Sequence, residues 1–178
     1  MITKSKKQKA KSKNEIIAYS LLPSAFTLIE LLVAISIIGV LSTLVLANFN
    51  AARERARDAQ RKSDLRQIQS ALRAYYNDIG SYPDKSATDF KILGCGPATA
   101  RVACDWGSAW TTAEGQTYMD PLTKDPKSEW NYRYERLNLD SYTLTACLEN
   151  KSDGTGKAMP AGYAGLTCST SWMYEVKQ

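Results

Sequence analysis

The chain has 178 residues, 44% of them hydrophobic and 23% charged, a composition that suits one folded domain plus appendages. Its formal charge of +5 belongs to one stretch: six of the 23 basic residues (Lys4, Lys6, Lys7, Lys9, Lys11, Lys13) and one of the 18 acidic residues (Glu15) precede Ser24, leaving a neutral body without the basic surface that nucleic-acid binding requires. No histidine is present, which excludes imidazole bases, histidine metal ligands and the Ser-His and Cys-His nucleophile pairs.

Met1 to Asn14 is a polar, lysine-rich run, and Pro23 interrupts the short apolar stretch after it. From Phe26 to Leu46 Glu30 is the only charge. As a helix rising ~1.5 Å per residue, this segment just crosses a ~30 Å hydrocarbon core. The lysines before it place the N-terminus in the cytoplasm and the chain from Asn48 onward outside.

Helical character continues past Leu46, with no Gly or Pro until Gly80 and Pro83. Ala52, Ala56, Ala59, Leu65, Ile68, Leu72, Tyr75 or Tyr76, and Ile79 recur at helical spacing and predict a covered face, while Asp58 is spaced to pair with Lys62. The expected helix runs from about Phe26 to Asp78 and stops at Gly80.

Beyond Pro83, clusters of Gly, Pro, Asp, Ser and Thr separate short strand-like runs. Trp130, Tyr132 and Tyr134 alternate with Asn131, Arg133 and Glu135 between Glu129 and Leu137, predicting an inner and an outer face. Tyr142, Leu144 and Ala146 mark a second strand between Ser141 and Glu149, and Ser171 to Val176 a third. The expected fold class is α+β: one long N-terminal helix, apolar then amphipathic, packed on a small antiparallel sheet.

All four cysteines, Cys95, Cys104, Cys147 and Cys168, follow the apolar segment, which suggests disulfides in an oxidising compartment. Sequential pairing, Cys95 with Cys104 and Cys147 with Cys168, is preferred among three connectivities, with four free buried thiols as the alternative. No Cys-x-x-Cys spacing supports zinc. Asp120, Asp125 and Asp153 come nearest to a catalytic carboxylate pair or a calcium loop, yet they miss the EF-hand spacing and precede Pro or Gly, where Asp forms turns. The aromatic residues between Trp106 and Tyr174 read as core and sheet packing.

Glu30 is the residue that composition does not explain. A carboxylate at the centre of a membrane helix costs roughly 2.5–3.5 kcal/mol, less towards an end, and marks a function. The helix dipole offsets only about 0.3–1 kcal/mol of that. A stronger partner is a free amine at the start of the helix, its own or a neighbour's, and it exists only if the chain is cut just before Phe26.

The run "FTLIELLVAISIIGVLS" resembles the N-terminal signature of type IV pilins and of the pseudopilins of type II secretion, over about Ala25 to Ser42, with a looser likeness reaching Pro83. The resemblance implies that a prepilin peptidase/methyltransferase cuts between Ala25 and Phe26 and methylates the new Phe26 amine, although Ala25 stands where the family usually has Gly. It also implies that Glu30 pairs with the N-terminus of a neighbouring subunit and fixes the register of a filament. Leu28, Leu31, Leu32, Ile35, Ile38 and Leu41 would supply the packing area, with Gly39 allowing close approach. The implied regions are a cytoplasmic leader (1–25), a transmembrane and filament-core helix (26–46), its amphipathic continuation (47–80) and a β-rich domain (81–178).

The implied partners are other pilin-like subunits in a homopolymer, the processing enzyme, an inner-membrane assembly platform and membrane lipid. The implied location is the bacterial inner membrane, then an extracytoplasmic or cell-surface filament, either a type IV pilus or a secretion pseudopilus. No catalytic activity and no cofactor are expected; the resemblance leaves one open, a structural Ca²⁺ in a C-terminal loop. Two other readings compete. One is a secretory signal peptide cut near Ala47 or Ala51, which Glu30 and the length of the apolar run disfavour. The other is a single-span anchor carrying an extracytoplasmic binding module or enzyme that forms no filament.

Overall fold

The computed structural model describes residues 26–178; the leader, including Ala25, lies outside the described residues. The chain divides into two compact units, Met1–Ser42 and Thr43–Gln178. Helix α1, Leu28–Ile79, begins in the first and ends in the second. It contains no proline and only Gly39, so nothing in its sequence breaks it before Gly80. There the backbone turns left-handed (φ 80°), and the Gly80 N–H reaches the Tyr76 carbonyl at 2.7 Å, closing the helix as a glycine at C′ does.

In the second unit α1 packs on antiparallel strands. Two small hairpins come first: β1 (Asp84–Lys85) with β2 (Ile92–Leu93), and β3 (Trp110–Thr111) with β4 (Thr117–Met119). Then β5 (Arg133–Asn138), β6 (Ser141–Cys147), β7 (Lys157–Ala158) and β8 (Trp172–Lys177) form a four-stranded sheet in the order β5-β6-β8-β7. Tyr134 pairs with Leu144 and Leu144 with Val176, so one face presents a continuous apolar row. That row meets Leu65, Ile68, Leu72 and Tyr75 of α1 in a core completed by Ile92, Trp110 and Leu122. The fold is α+β and pilin-like, with one long helix on small antiparallel sheets.

Three local expectations need correction. Ala52, Ala56, Ala59 and Ile79 are exposed, whereas Asp58, Arg61 and Asp64 are buried. Alanine brings one methyl group to a face and cannot set its phase; the covered stripe is fixed by Leu65, Ile68 and Leu72 and, one and two turns earlier, by charges that have partners. Asp58 pairs with Arg61 (2.8 Å), and Lys62 with Asp153, so the expected Asp58–Lys62 pair is not made. Arg133, placed by alternation on the outer face, is also buried, because the loop between β7 and β8 covers that face.

Arg61 is the electrostatic centre of the domain. Its guanidinium takes both carboxylate oxygens of Asp125 (2.8 and 2.9 Å), Asp58 (2.8 Å) and Glu149 (2.9 Å), and lies over the Trp130 ring at 4.5 Å. Asp58 in turn accepts the backbone N–H groups of Glu149 (3.0 Å) and Asn150 (2.8 Å). Burial opposes the Arg61 charge, but its hydrogen bonds to Asp125, Glu149 and Asp58 outweigh it and raise the pKa. Arg57 and Lys127 also reach Glu149, at 2.6 and 2.9 Å.

Acid should undo part of this arrangement. Burial alone would raise the Glu149 pKa, yet hydrogen bonds from Arg57, Lys127 and Arg61 hold it down to about 2; Lys62 and then Thr155 hold Asp153 down to about 2 as well. Carboxyls depressed by folding stabilise the fold above their unfolded pKa, and that contribution is lost as pH falls through the folded one. Asp64 has the opposite sign: burial raises its pKa despite the Tyr132 hydrogen bond, so its protonation favours the fold. The thermal midpoint should therefore fall between about pH 4 and pH 2. A midpoint that is flat or rising over that interval in a pH series followed by circular dichroism would contradict the assignment.

Candidate functional site

The first turn of α1 is built by four residues. Thr27 precedes the helix and Glu30 is its third residue. The Thr27 Oγ1 accepts the Glu30 backbone N–H at 3.2 Å, while Glu30 Oε2 accepts the Thr27 backbone N–H at 2.9 Å and its hydroxyl at 2.8 Å. This reciprocal pair is a capping box, which satisfies backbone donors that a helix start otherwise leaves open. Thr27 is not among the residues that the motif singles out, although Thr-x-x-Glu before an apolar run is itself a capping-box signature.

Around this polar head everything large is apolar. Phe26 is 81% exposed, and Leu28, Leu31, Leu32, Ile35, Ile38 and Leu41 are all exposed as well. A Cβ added at Gly39 would meet nothing within 4 Å. A helix apolar on all sides belongs in lipid or among other helices, and α1 is long and apolar enough to cross a membrane. Withdrawing ten half-exposed Leu, Ile and Val side chains between Leu28 and Leu41 from water is favourable by roughly 10 kcal/mol. That exceeds the roughly 2.5–3.5 kcal/mol that a central carboxylate costs, so Glu30 does not prevent insertion.

The capping box would survive a cut before Phe26, because it uses the Thr27 amide and leaves Phe26 free to become the terminal amine. Thr27→Val is expected to weaken the first turn by about 1 kcal/mol, and Thr27→Ser to preserve it. Amide exchange at Leu28 to Leu31 in micelles checks this: unchanged protection in Thr27→Val would contradict the cap. The remaining sequence candidates lie in the second unit, where Cys95 is joined to Cys104 and Cys147 to Cys168.

The prokaryotic N-terminal methylation motif matches residues 24–46, the segment that holds Phe26, Thr27 and Glu30. The chain is 41% identical to the type II secretion system core protein G of Escherichia coli (strain K12) over 129 residues, 72% of this chain and 81% of that protein. It is 33% identical over 113 residues to the core protein G of Pectobacterium carotovorum subsp. carotovorum, covering 64% of this chain and 65% of the relative, just under two thirds. To the type IV major pilin protein PilA of Myxococcus xanthus it is 30% identical over 59 residues, 33% of this chain and 27% of that pilin. No solved structure matches it. The motif, the long N-terminal helix whose later part packs on small antiparallel sheets, and the similarity to core protein G make the chain prepilin-like: it belongs to the family of type IV pilins and type II secretion pseudopilins.

Proposed function

We propose that the chain is a structural subunit without enzymatic activity, made as a prepilin and polymerised into a type II secretion pseudopilus or a type IV pilus. A prepilin peptidase/methyltransferase cuts it between Ala25 and Phe26 and methylates the Phe26 amine. The subunit waits in the bacterial inner membrane as a single-pass protein, its N-terminus at the cytoplasmic side, until an assembly platform moves it into an extracytoplasmic filament. Residues 1–25 are then the leader, 26–46 the membrane and filament-core helix, 47–80 its continuation and 81–178 the outer domain.

The observation that carries this reading is Glu30, a single carboxylate held at the head of a helix whose large side chains as far as Leu41 are apolar and exposed. In a bundle of such helices a carboxylate–amine pair adds little net stability, whereas an unpaired buried charge costs several kcal/mol. Glu30 therefore selects the neighbour whose Phe26 amine it can reach. One surface placed on a different surface of the next copy, without ring closure, gives an open helical polymer.

Similarity over 81% of the Escherichia coli core protein G, against 59 residues of PilA, favours the pseudopilus. Expression in cells whose own core protein G has been deleted tests this. Restored secretion supports the pseudopilus, surface fibres without secretion support the pilus, and a domain that works with residues 26–46 removed contradicts both.

A further inference from the structure

The resemblance leaves open a structural Ca²⁺ in the C-terminal loops, and the residues there do not fit one. Calcium takes about six to eight oxygen ligands, several of them carboxylate. The loop between β7 and β8, Met159 to Ser171, contains no Asp or Glu at all. The loop between β6 and β7 carries Glu149 and Asp153, but Glu149 is held by Arg57, Arg61 and Lys127, and Asp153 by Lys62 and Thr155. Asp125 is held by both arms of Arg61. Among the described residues no group of three or more His, Cys, Asp or Glu side chains is placed to hold a metal ion.

A different cation occupies the centre of the acid-free loop. The Arg133 guanidinium, 6% exposed, donates to the Ala164 carbonyl at 2.7 Å and the Tyr163 hydroxyl at 2.9 Å, with Glu135 at 2.8 Å as its counter-charge. The Phe90 and Tyr163 rings lie 4.2 and 4.3 Å from its carbon. Asn131 fixes the next residues, donating to the Gly165 carbonyl at 3.0 Å and accepting the Thr167 N–H at 2.8 Å. Gly165 sits so close to Phe90 that an added Cβ would come within 2.1 Å of the ring, so only glycine brings the loop this near. The Cys147–Cys168 disulfide ties down the far end.

We infer that both C-terminal loops are closed by cations of the chain itself, Arg133 on one and Arg61 with Lys62 on the other, so that the domain holds its fold without a divalent metal. The inference rests on the second unit alone and does not depend on filament formation.

The test is thermal unfolding of the full chain in detergent micelles, in millimolar calcium chloride and in excess EGTA. A ligand that binds only the folded form raises the midpoint by several degrees at about a hundred times its Kd. The expected result is the same midpoint in both, within about 1 °C on that scale. A rise of several degrees with calcium overturns the inference. In parallel, Arg133→Met should speed amide exchange at Gly165 and Thr167 whether or not calcium is present, and Arg133→Lys should restore part of the protection. Unchanged exchange in Arg133→Met also overturns it.

Discussion

A Glu30→Ala chain is expected to insert in the membrane at least as well as the wild type and to form no filaments. Removing the carboxylate relieves up to about 2.5–3.5 kcal/mol of insertion cost, while loss of the capping box costs about 1 kcal/mol, so the monomer is not disfavoured. Assembly loses its only side-chain charge between Phe26 and Leu46, and with it the attraction that singles out one neighbour. Glu30→Gln separates the capping role that the structure shows from the register role proposed for the charge. Glutamine also serves in a capping box and can accept the Thr27 N–H, yet it carries no charge. If register depends on charge, Glu30→Gln fails to assemble although its helix start is intact. Filaments at wild-type yield from Glu30→Gln would show that the cap, and not the charge, is what assembly needs. Membrane fractionation and electron microscopy of the same cells read both halves of the prediction.

Arg61→Met should be the most damaging single change in the folded domain. Asp58 and Asp125 are almost fully buried against the guanidinium, and methionine fills most of its volume but leaves both carboxylates without a cation, with only backbone N–H groups to accept. Breaking a buried ion pair by removing one member costs about 3–5 kcal/mol, which in a domain of this size lowers the thermal midpoint by roughly 10–20 °C. Changing Asp125 to leucine in the same chain should recover part of the loss, since the stranded charge is then gone. A drop of only about 1–2 °C in Arg61→Met would mean that water reaches these carboxylates and that the network contributes little.

What the sequence made visible follows a physical line. Glu30 stands out because a charge inside a long apolar run has no other excuse, and the helix end at Gly80 was legible because glycine alone takes a positive φ without strain. The strands β6 and β8 lie where the second and third expected runs put them, whereas β5 starts only at Arg133, so Trp130 and Tyr132 precede the strand expected to contain them. The charged interior was not legible. Periodicity treats Arg and Asp as surface residues, so a stripe containing Asp58, Arg61 and Asp64 looks polar until Asp125 and Glu149, far along the chain, arrive to pair with it. Arg133 follows the same line: alternation gives its face, but not the loop that covers that face. The role of Thr27 is legible in the sequence, because a capping box is local: Thr-x-x-Glu ahead of an apolar run.

Processing before Phe26 is the step that would give Glu30 a cationic partner. Intact mass and N-terminal sequencing of the protein recovered from its native envelope test it most directly. The expected result is a chain that begins at Phe26 and is one methyl group heavier than its sequence. A chain that keeps Met1, or one that begins near Ala51, would contradict it, leaving an anchored or secreted domain and no amine for Glu30 to find.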